Sequence, residues 1–126
     1  MGVTYDTGAL IAADRGERRM WARHRALLVR RQVPVIPAPV LAEGWRGTHR
    51  QANLARLLAG CEVEALDATR AKATGTVAAD AGVSDIVDAA VIEGALRRHD
   101  RIVSSDPRDL LAIAASLGQH LEIDHP

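Results

Sequence analysis

Short apolar segments with the composition of β-strands alternate with longer helical segments along this chain. Strands are predicted at residues 3–5, 33–36, 62–66, 101–105 and 121–123, the last as an edge strand. Helices are predicted at residues 9–14, 17–31, 40–46, 50–58, 68–81, 85–98 and 106–117. Strands joined through helices form right-handed crossovers and parallel sheets that are covered on both faces. We therefore expect an α/β fold, a three-layer α/β/α sandwich with a central, mainly parallel sheet.

The length and composition suit one domain that spans residues 1–126, of which 48% are apolar. Cys61 is the only cysteine, so no intramolecular disulfide forms, which fits a reducing, cytoplasmic location. The N-terminal residues lack the basic stretch of a signal peptide, and Asp6 interrupts their apolar run. No apolar run approaches the roughly 20 residues that cross a bilayer, so no membrane association is expected.

The charge balance excludes a strongly basic protein, because the formal net charge is zero. The basic residues are unevenly placed, however: residues 15–31 hold seven arginines and one acid, Glu17. Lys72 is the only lysine, and arginine favours bidentate contact with phosphate or carboxylate groups. The chain has no Phe and one Tyr, which argues against any mode of RNA binding that is built on aromatic stacking platforms.

Two aspartates follow predicted strands, at the sheet edge where parallel α/β proteins bind their ligands. Asp6 comes directly after residues 3–5, and Asp106 ends the run of residues 101–105. Each also has a structural interpretation. Asp6 precedes a helix as an N-cap would, and Asp106 before Pro107 is typical of a helix start. Capping and metal binding are compatible, because a carboxylate has two oxygens.

Asp88 lies among apolar residues in the predicted helix 85–98, and no lysine or arginine is within one turn of it. A helix that is apolar on nearly every side should be buried, and an isolated buried charge costs several kcal/mol. The structural alternative is that Asp85 caps the helix and Asp88 interacts with its dipole, as in a capping box. We favour capping for Asp85 and a functional role for Asp88.

Glu43 lies on the predicted helix 40–46, where a glutamate is usually solvated, but the helix follows directly after a strand. If Asp6, Glu43, Asp88 and Asp106 converge, they cannot all stay ionised without a cation, and without one they should hold protons at raised pKa. The pattern therefore predicts a divalent-metal site and metal-assisted phosphodiester hydrolysis. Ser104 could donate a hydrogen bond to a ligand or to a neighbouring carboxylate.

Other chemistries lack their motifs. The five histidines are scattered and pair with no cysteine, so zinc is not indicated. There is no glycine-rich phosphate loop and no Gly-x-Ser-x-Gly. A receiver-like signalling domain would need paired acids early in the chain and a late lysine, but Asp6 has no acidic neighbour and no lysine follows Lys72.

Four segments resemble a known family: TYDTGALIAADR, PAPVLAEGWR, SDIVDAAVIEGALRRHD and RIVSSDPRDLLAIA. In the order and spacing of their acids they resemble the PIN-domain ribonucleases, and among these the VapC-type toxins of toxin–antitoxin pairs. The resemblance covers nearly the whole chain. It implies a PIN-like fold and a Mg²⁺- or Mn²⁺-dependent endoribonuclease that acts on RNA, forms a homodimer and is neutralised by a cognate antitoxin.

The acidic quartet of the family is carried over residue by residue. Asp6, Asp88 and Asp106 resemble its metal-binding aspartates, and Glu43 resembles the glutamate that completes the catalytic site. Secondary candidates are Asp85, Ser104 and Thr7. The basic segment of residues 15–31 either contacts the RNA backbone or an antitoxin, or is a solvated face. The alternative function is a non-catalytic PIN-like module that only binds RNA or a protein partner.

Overall fold

A parallel sheet of five strands forms the centre of the fold, as seen in a computed structural model that describes residues 2–126. The strands are β1 (Val3–Tyr5), β2 (Val35–Pro37), β3 (Glu62–Glu64), β4 (Arg101–Val103) and β5 (Ile123–Asp124). Their order in the sheet is β3-β2-β1-β4-β5, and all four pairings are parallel. The chain builds outward from β1 in one direction and then from β4 in the other. The gap beyond the carboxyl ends of β1 and β4 is therefore the switch point where such sheets bind ligands.

Helices connect the strands, which confirms the predicted α/β alternation. They are α1 (Thr7–Asp14), α2 (Arg18–Val29), α3 (Ala38–Gly44), α4 (Ala52–Leu58), α5 (Ala68–Ala81), α6 (Ile86–Arg98) and α7 (Arg108–Ser116), with a short 3-10 helix at His49–Gln51. Within residues 2–126, no helix has the length and apolar character to span a membrane.

The central strands are buried on both faces because helices cover the sheet on both sides. Tyr5, Ile36 and Ile102, one from each of the three central strands, have no exposed surface. Helix α6 contributes Val91 and Ile92 to the same core, also without exposed surface. A continuous apolar run is typical of strands in a parallel sheet, so the core forms around β1 and its neighbours.

Local signals placed several helix ends correctly. Asp67 caps α5, its carboxylate accepting a hydrogen bond from the Arg70 amide at 2.9 Å. Gly82 ends that helix in the left-handed conformation, at a φ of 68°. Helix α1 begins two residues earlier than predicted, at Thr7, because Asp6 occupies the N-cap position.

The strands differ more from the prediction, because their limits depend on pairing with neighbours. Strand β2 begins at Val35, since Val33 is exposed and Pro34 has no amide hydrogen to donate. Strand β5 lies at Ile123–Asp124, whereas Leu121 is buried in the core ahead of the strand. Strand β4 ends at Val103, two residues earlier than predicted.

Candidate carboxylate site

Asp6 follows β1 directly and has the capping role that the sequence allowed, whereas its metal-binding role stays a prediction. Its Oδ1 accepts a hydrogen bond from the Ala9 amide at 3.0 Å and so caps α1. Its own amide donates to the carbonyl of Val103 at 3.2 Å, which holds it beside the end of β4. Burial raises the pKa of the Asp6 carboxyl and the charge of Glu43 adds to the effect, against hydrogen bonds that include one from Ser104.

Glu43 is joined to the start of α1 although it lies on α3. The Thr7 hydroxyl donates a hydrogen bond to Glu43 Oε1 at 2.6 Å, a contact between residues 36 positions apart. Helix α3 begins immediately after the carboxyl end of β2, which brings Glu43 to the edge of the sheet where Asp6 lies. Glu43 is exposed, so it can meet a ligand from solvent.

The start of α6 contributes a pair of aspartates. Asp85 is the N-cap, and its Oδ1 accepts a hydrogen bond from the Asp88 amide at 3.0 Å, which confirms the predicted cap. The expectation that the whole helix is buried is wrong for its first turn, since Ile86 is 47% exposed and Asp88 is only partly buried. The fully buried residues of α6 therefore begin only at Ala89.

Asp88 lies among like charges. Its pKa is raised to about 6, first by burial and then by the charges of Asp85, Asp109, Asp6 and Glu43. None of these five carboxylates takes part in the ion pairs of residues 2–126. Negative side chains from the starts of three helices and from α3 therefore influence one another without a neutralising partner.

Asp109 is a further carboxylate near Asp88, and the sequence analysis did not identify it as a candidate. It lies in the first turn of α7 and lines a pocket of about 390 Å³ together with Asp85 and Asp88. A signal was available in the helical spacing. Leu110, Ile113 and Ala114 form the buried stripe of α7, and Asp109 lies beside Ile113, four residues before it and one turn away on the helix surface.

The prediction that Asp106 caps α7 is wrong. Helix α7 begins at Arg108, Pro107 occupies the N-cap position, and no side chain caps the helix. The chain turns differently here because the Asp106 amide donates to Ser104 Oγ at 3.2 Å. The Asp106 carboxylate is exposed, and it is not among the main charges that act on Asp88. Its role as the fourth acid of the quartet stays a prediction.

The end of β4 and the start of α1 approach each other closely. A Cβ added to Gly8 would lie 2.1 Å from Ser105 Oγ and 3.0 Å from the Ser105 amide nitrogen. Only a glycine therefore fits at position 8 without movement of the loop after β4. This approach places Ser104 and Asp106 beside the turn that carries Asp6.

The donor chemistry of the site fits a hard divalent cation, because its side chains offer carboxylate oxygens. No three His, Cys, Asp or Glu side chains in the described part of the chain are arranged to hold one ion together. Binding would therefore require these side chains to rotate toward a common point. Asp106 and Asp109 are exposed and can rotate in solvent, whereas Glu43 and Asp85 would first have to release their hydrogen bonds with the Thr7 hydroxyl and the Asp88 amide.

Comparisons with known proteins show the fold. The sequence matches no protein-family model, and a search of curated proteins finds no match. A chain in the structure of VapBC2 from Rickettsia felis bound to a DNA fragment from the promoter has a TM-score of 0.75 at 15% identity, with 100% of this chain and 99% of that chain covered. A chain of FitAB bound to the IR36 DNA fragment has a TM-score of 0.66 at 14% identity, with 98% and 94% covered.

PAE2754 from Pyrobaculum aerophilum has a TM-score of 0.62 at 22% identity, with 90% of this chain and 86% of that chain covered. All three likenesses extend over nearly the whole of both chains. The chain therefore has the fold of VapC-type PIN domains, which is the fold that its four acidic segments predict.

Proposed function

We propose that this protein is a metal-dependent endoribonuclease, the toxin of a type II toxin–antitoxin pair, and that it hydrolyses RNA phosphodiester bonds. One observation carries the proposal: carboxylates from separate elements influence one another at the switch point of the sheet, and none has a cationic partner within residues 2–126. Such crowding is unfavourable for the protein alone and favourable for holding a dication.

In the proposed site Asp6, Asp88 and Asp106 supply oxygen ligands, and Glu43 contributes directly or through water. Mg²⁺ or Mn²⁺, when bound, would activate a water molecule and stabilise the charge that develops on the scissile phosphate. Two further side chains of the protein would keep these carboxylates in position. Thr7 holds the Glu43 carboxylate by its 2.6 Å hydrogen bond, and Ser104 steadies Asp6.

The structure adds Asp109 as a competing candidate for the fourth carboxylate. It faces the same pocket as Asp85 and Asp88, and its charge is among the main ones that act on Asp88. A comparison of Asp106→Asn with Asp109→Asn in the cleavage assay would show which of the two the reaction requires.

The proposed partners follow from the fold neighbours and from the sequence resemblance. VapBC2 and FitAB are described bound to DNA, the former to a fragment of the promoter. By analogy we propose that this chain forms a complex with a cognate antitoxin, that it forms homodimers, and that it acts on RNA in the cytoplasm.

A second function has support from one observation. Because no three acidic side chains in residues 2–126 are positioned to hold an ion, a non-catalytic PIN-like module that binds RNA or a protein partner is the alternative. The two functions differ in their response to metal. Only the nuclease loses an activity when the metal is removed.

The test uses the purified full chain, a structured RNA and Mg²⁺. The nuclease should cleave the RNA, EDTA should abolish cleavage, and Asp88→Asn should lower the rate about a hundredfold or more, since loss of an outer-shell partner alone costs about 10–100-fold. Asp80→Asn, at an exposed position of α5, is the matched control and should cleave normally. Undiminished cleavage by Asp88→Asn would remove that residue from the mechanism.

A further inference from the structure

The segment that follows Glu43, residues 44–50, combines exposed positive charge with an exposed aromatic ring. We propose that it binds a single-stranded stretch of the RNA substrate next to the carboxylate site, with Trp45 stacking on a base and with Arg46 and Arg50 contacting phosphates. The proposal rests on the proposed function, because it assigns a role to residues beside the same site.

The charge of this region is not compensated locally. Residues 44–61 contain three arginines, Arg46, Arg50 and Arg56, and no acid, in a chain whose net charge is zero. Within residues 2–126, no ion pair includes any of these three arginines. A polyanion such as RNA releases counterions when arginines neutralise its phosphates, so its binding to these unpaired arginines would be favourable.

The two tryptophans of the chain have different surroundings. Trp21 donates its indole hydrogen to the Ala13 carbonyl at 2.9 Å, packs edge-on against His24 and lies under the guanidinium of Arg56. Trp45 has no such ring contact in the described part of the chain and is 41% exposed. Trp45 therefore has an indole face available for another molecule.

Apolar surface continues from Trp45. The side chain borders an open depression of about 400 Å³ whose other walls are Ala38, Leu41, Ala42 and Leu58. A nucleobase is flat and has two apolar faces, so the indole and this depression can receive it. One tryptophan provides a site for one base, which is consistent with the lack of a larger aromatic platform in the sequence.

The segment is held in place by a single buried side chain. Gln51 is 8% exposed, and its Oε1 accepts hydrogen bonds from the amides of Arg46 at 2.6 Å and Gly47 at 3.2 Å. Its Nε2 donates to the Gly44 carbonyl at 2.9 Å. The backbone on both sides of Trp45 is thus fixed at Gly44, Arg46 and Gly47 before any ligand binds, which lowers the entropic cost of binding.

The same segment is tied to the carboxylates through the chain. Trp45 is two residues from Glu43, and two residues span at most about 7 Å. Glu43 in turn is bound by Thr7 at the start of α1, next to Asp6. RNA whose scissile phosphate lies at the carboxylates would therefore have neighbouring nucleotides within reach of Trp45 and Arg46.

An acidic polypeptide would also be attracted to the arginines, but its acidic side chains have no flat ring that could stack on Trp45. RNA matches both features, so it is the occupant that the observations favour. Polyglutamate of matched charge is the probe that separates the two.

The experiment measures binding of a labelled single-stranded oligoribonucleotide by fluorescence anisotropy in EDTA, over a series of salt concentrations. Arg46→Gln/Arg50→Gln should bind more weakly, and its salt slope should fall by about 1.4, at about 0.7 for each phosphate contact of a single strand. Lys72→Gln, which removes one charge at an exposed position of α5 as Arg46→Gln does in the segment, is the control and should bind like the wild type.

Trp45 is tested by substitution and by its fluorescence. Trp45→Leu should weaken RNA binding about tenfold and remove most of the RNA-induced quenching of tryptophan fluorescence, whereas Trp45→Phe should retain most of the affinity. Matching circular dichroism and thermal unfolding would show that the variants are folded. Quenching by polyglutamate that equals quenching by RNA would overturn the proposal.

Further outcomes separate this proposal from the proposed function. If the wild type cleaves RNA with Mg²⁺ and both variants bind and cleave like it, the binding segment is wrong and the nuclease stands. If RNA binds through Trp45 and the two arginines but is never cleaved, the segment stands and the nuclease is wrong. A loss of binding in Lys72→Gln equal to that in Arg46→Gln, or no RNA binding by the wild type, would overturn the proposed binding segment.

Discussion

The carboxylates near the two ends of helix α6 lie in opposite electrostatic environments. At the C-terminal end, Arg98 pairs with Asp100 at 2.9 Å and with Glu64 at 2.8 Å, and Arg97 pairs with Glu64 and Glu93. Burial alone would raise the pKa of Glu64, but the hydrogen bonds and charges of Arg97 and Arg98 outweigh it, so the pKa is lowered.

At the N-terminal end, Asp85 and Asp88 form no ion pair with any of the residues 2–126, and the pKa of Asp88 is raised to about 6 by burial and by neighbouring negative charges. The same residue types thus stabilise one end of the helix and repel one another at the other end. The ion pairs at the C-terminal end stabilise the fold, whereas the unpaired carboxylates at the N-terminal end lower its stability and, in the proposed function, are available for a ligand.

The largest expected change in the free energy of unfolding comes from removing a carboxylate at the C-terminal end of α6, where the acids are paired with arginines. The Asp100 side chain is 3% exposed and accepts hydrogen bonds from the Gly2 amide, the Thr4 hydroxyl and Arg98 Nε. Asp100→Ala leaves Arg98 partly unpaired and should lower the free energy of unfolding by about 3 kcal/mol. Urea denaturation measures it.

The control for this change is Asp80→Ala, at an exposed position of α5, which should alter the free energy of unfolding by no more than about 0.5 kcal/mol. A loss of the same small size for Asp100→Ala would show that the ion-pair network at the end of α6 does not support the fold.

A smaller effect of opposite sign is expected at the unpaired end. In EDTA at pH 7, Asp88→Asn should leave the free energy of unfolding unchanged or raise it by up to about 1 kcal/mol, because it removes repulsion. The Asp88 pKa is raised in the folded state from 3.8 to about 6. Its favourable contribution is therefore complete below about pH 4 and disappears as the pH rises through 6.

Between pH 4 and pH 7 the free energy of unfolding of Asp88→Asn should therefore fall less than that of the wild type. Urea titrations of both proteins at the two pH values measure this difference. A destabilised Asp88→Asn with an unchanged pH dependence would mean that Asp88 is a structural residue like those at the other end of α6.

The sequence predicted those parts of the site that depend on local structure. Asp6 lies at the end of its strand and caps the next helix, and Asp85 caps α6, because strand ends and N-caps are determined by a few neighbouring residues. The predicted Asp106 cap is also a local feature, but it is wrong, since Pro107 occupies the N-cap position of α7.

The remaining parts depend on how distant elements pack. The Thr7–Glu43 hydrogen bond joins two helices, and no periodicity in either one predicts it. Asp109 lies in the pocket with Asp88 because α7, which carries Asp109, packs against α5 and α6. The exposure of the first turn of α6 likewise depends on tertiary packing, since the apolar sequence of the helix alone predicts burial.

The most direct test of the central claim is a titration of the Asp88 carboxyl by carbon NMR of aspartate-labelled protein, assigned by comparison with Asp88→Asn. In EDTA the carboxyl should titrate with a pKa of about 6, and saturating Mg²⁺ should shift this pKa well below that value. An ordinary aspartate pKa near 4 in EDTA, unchanged by Mg²⁺, would show that the carboxylates are not crowded and bind no dication.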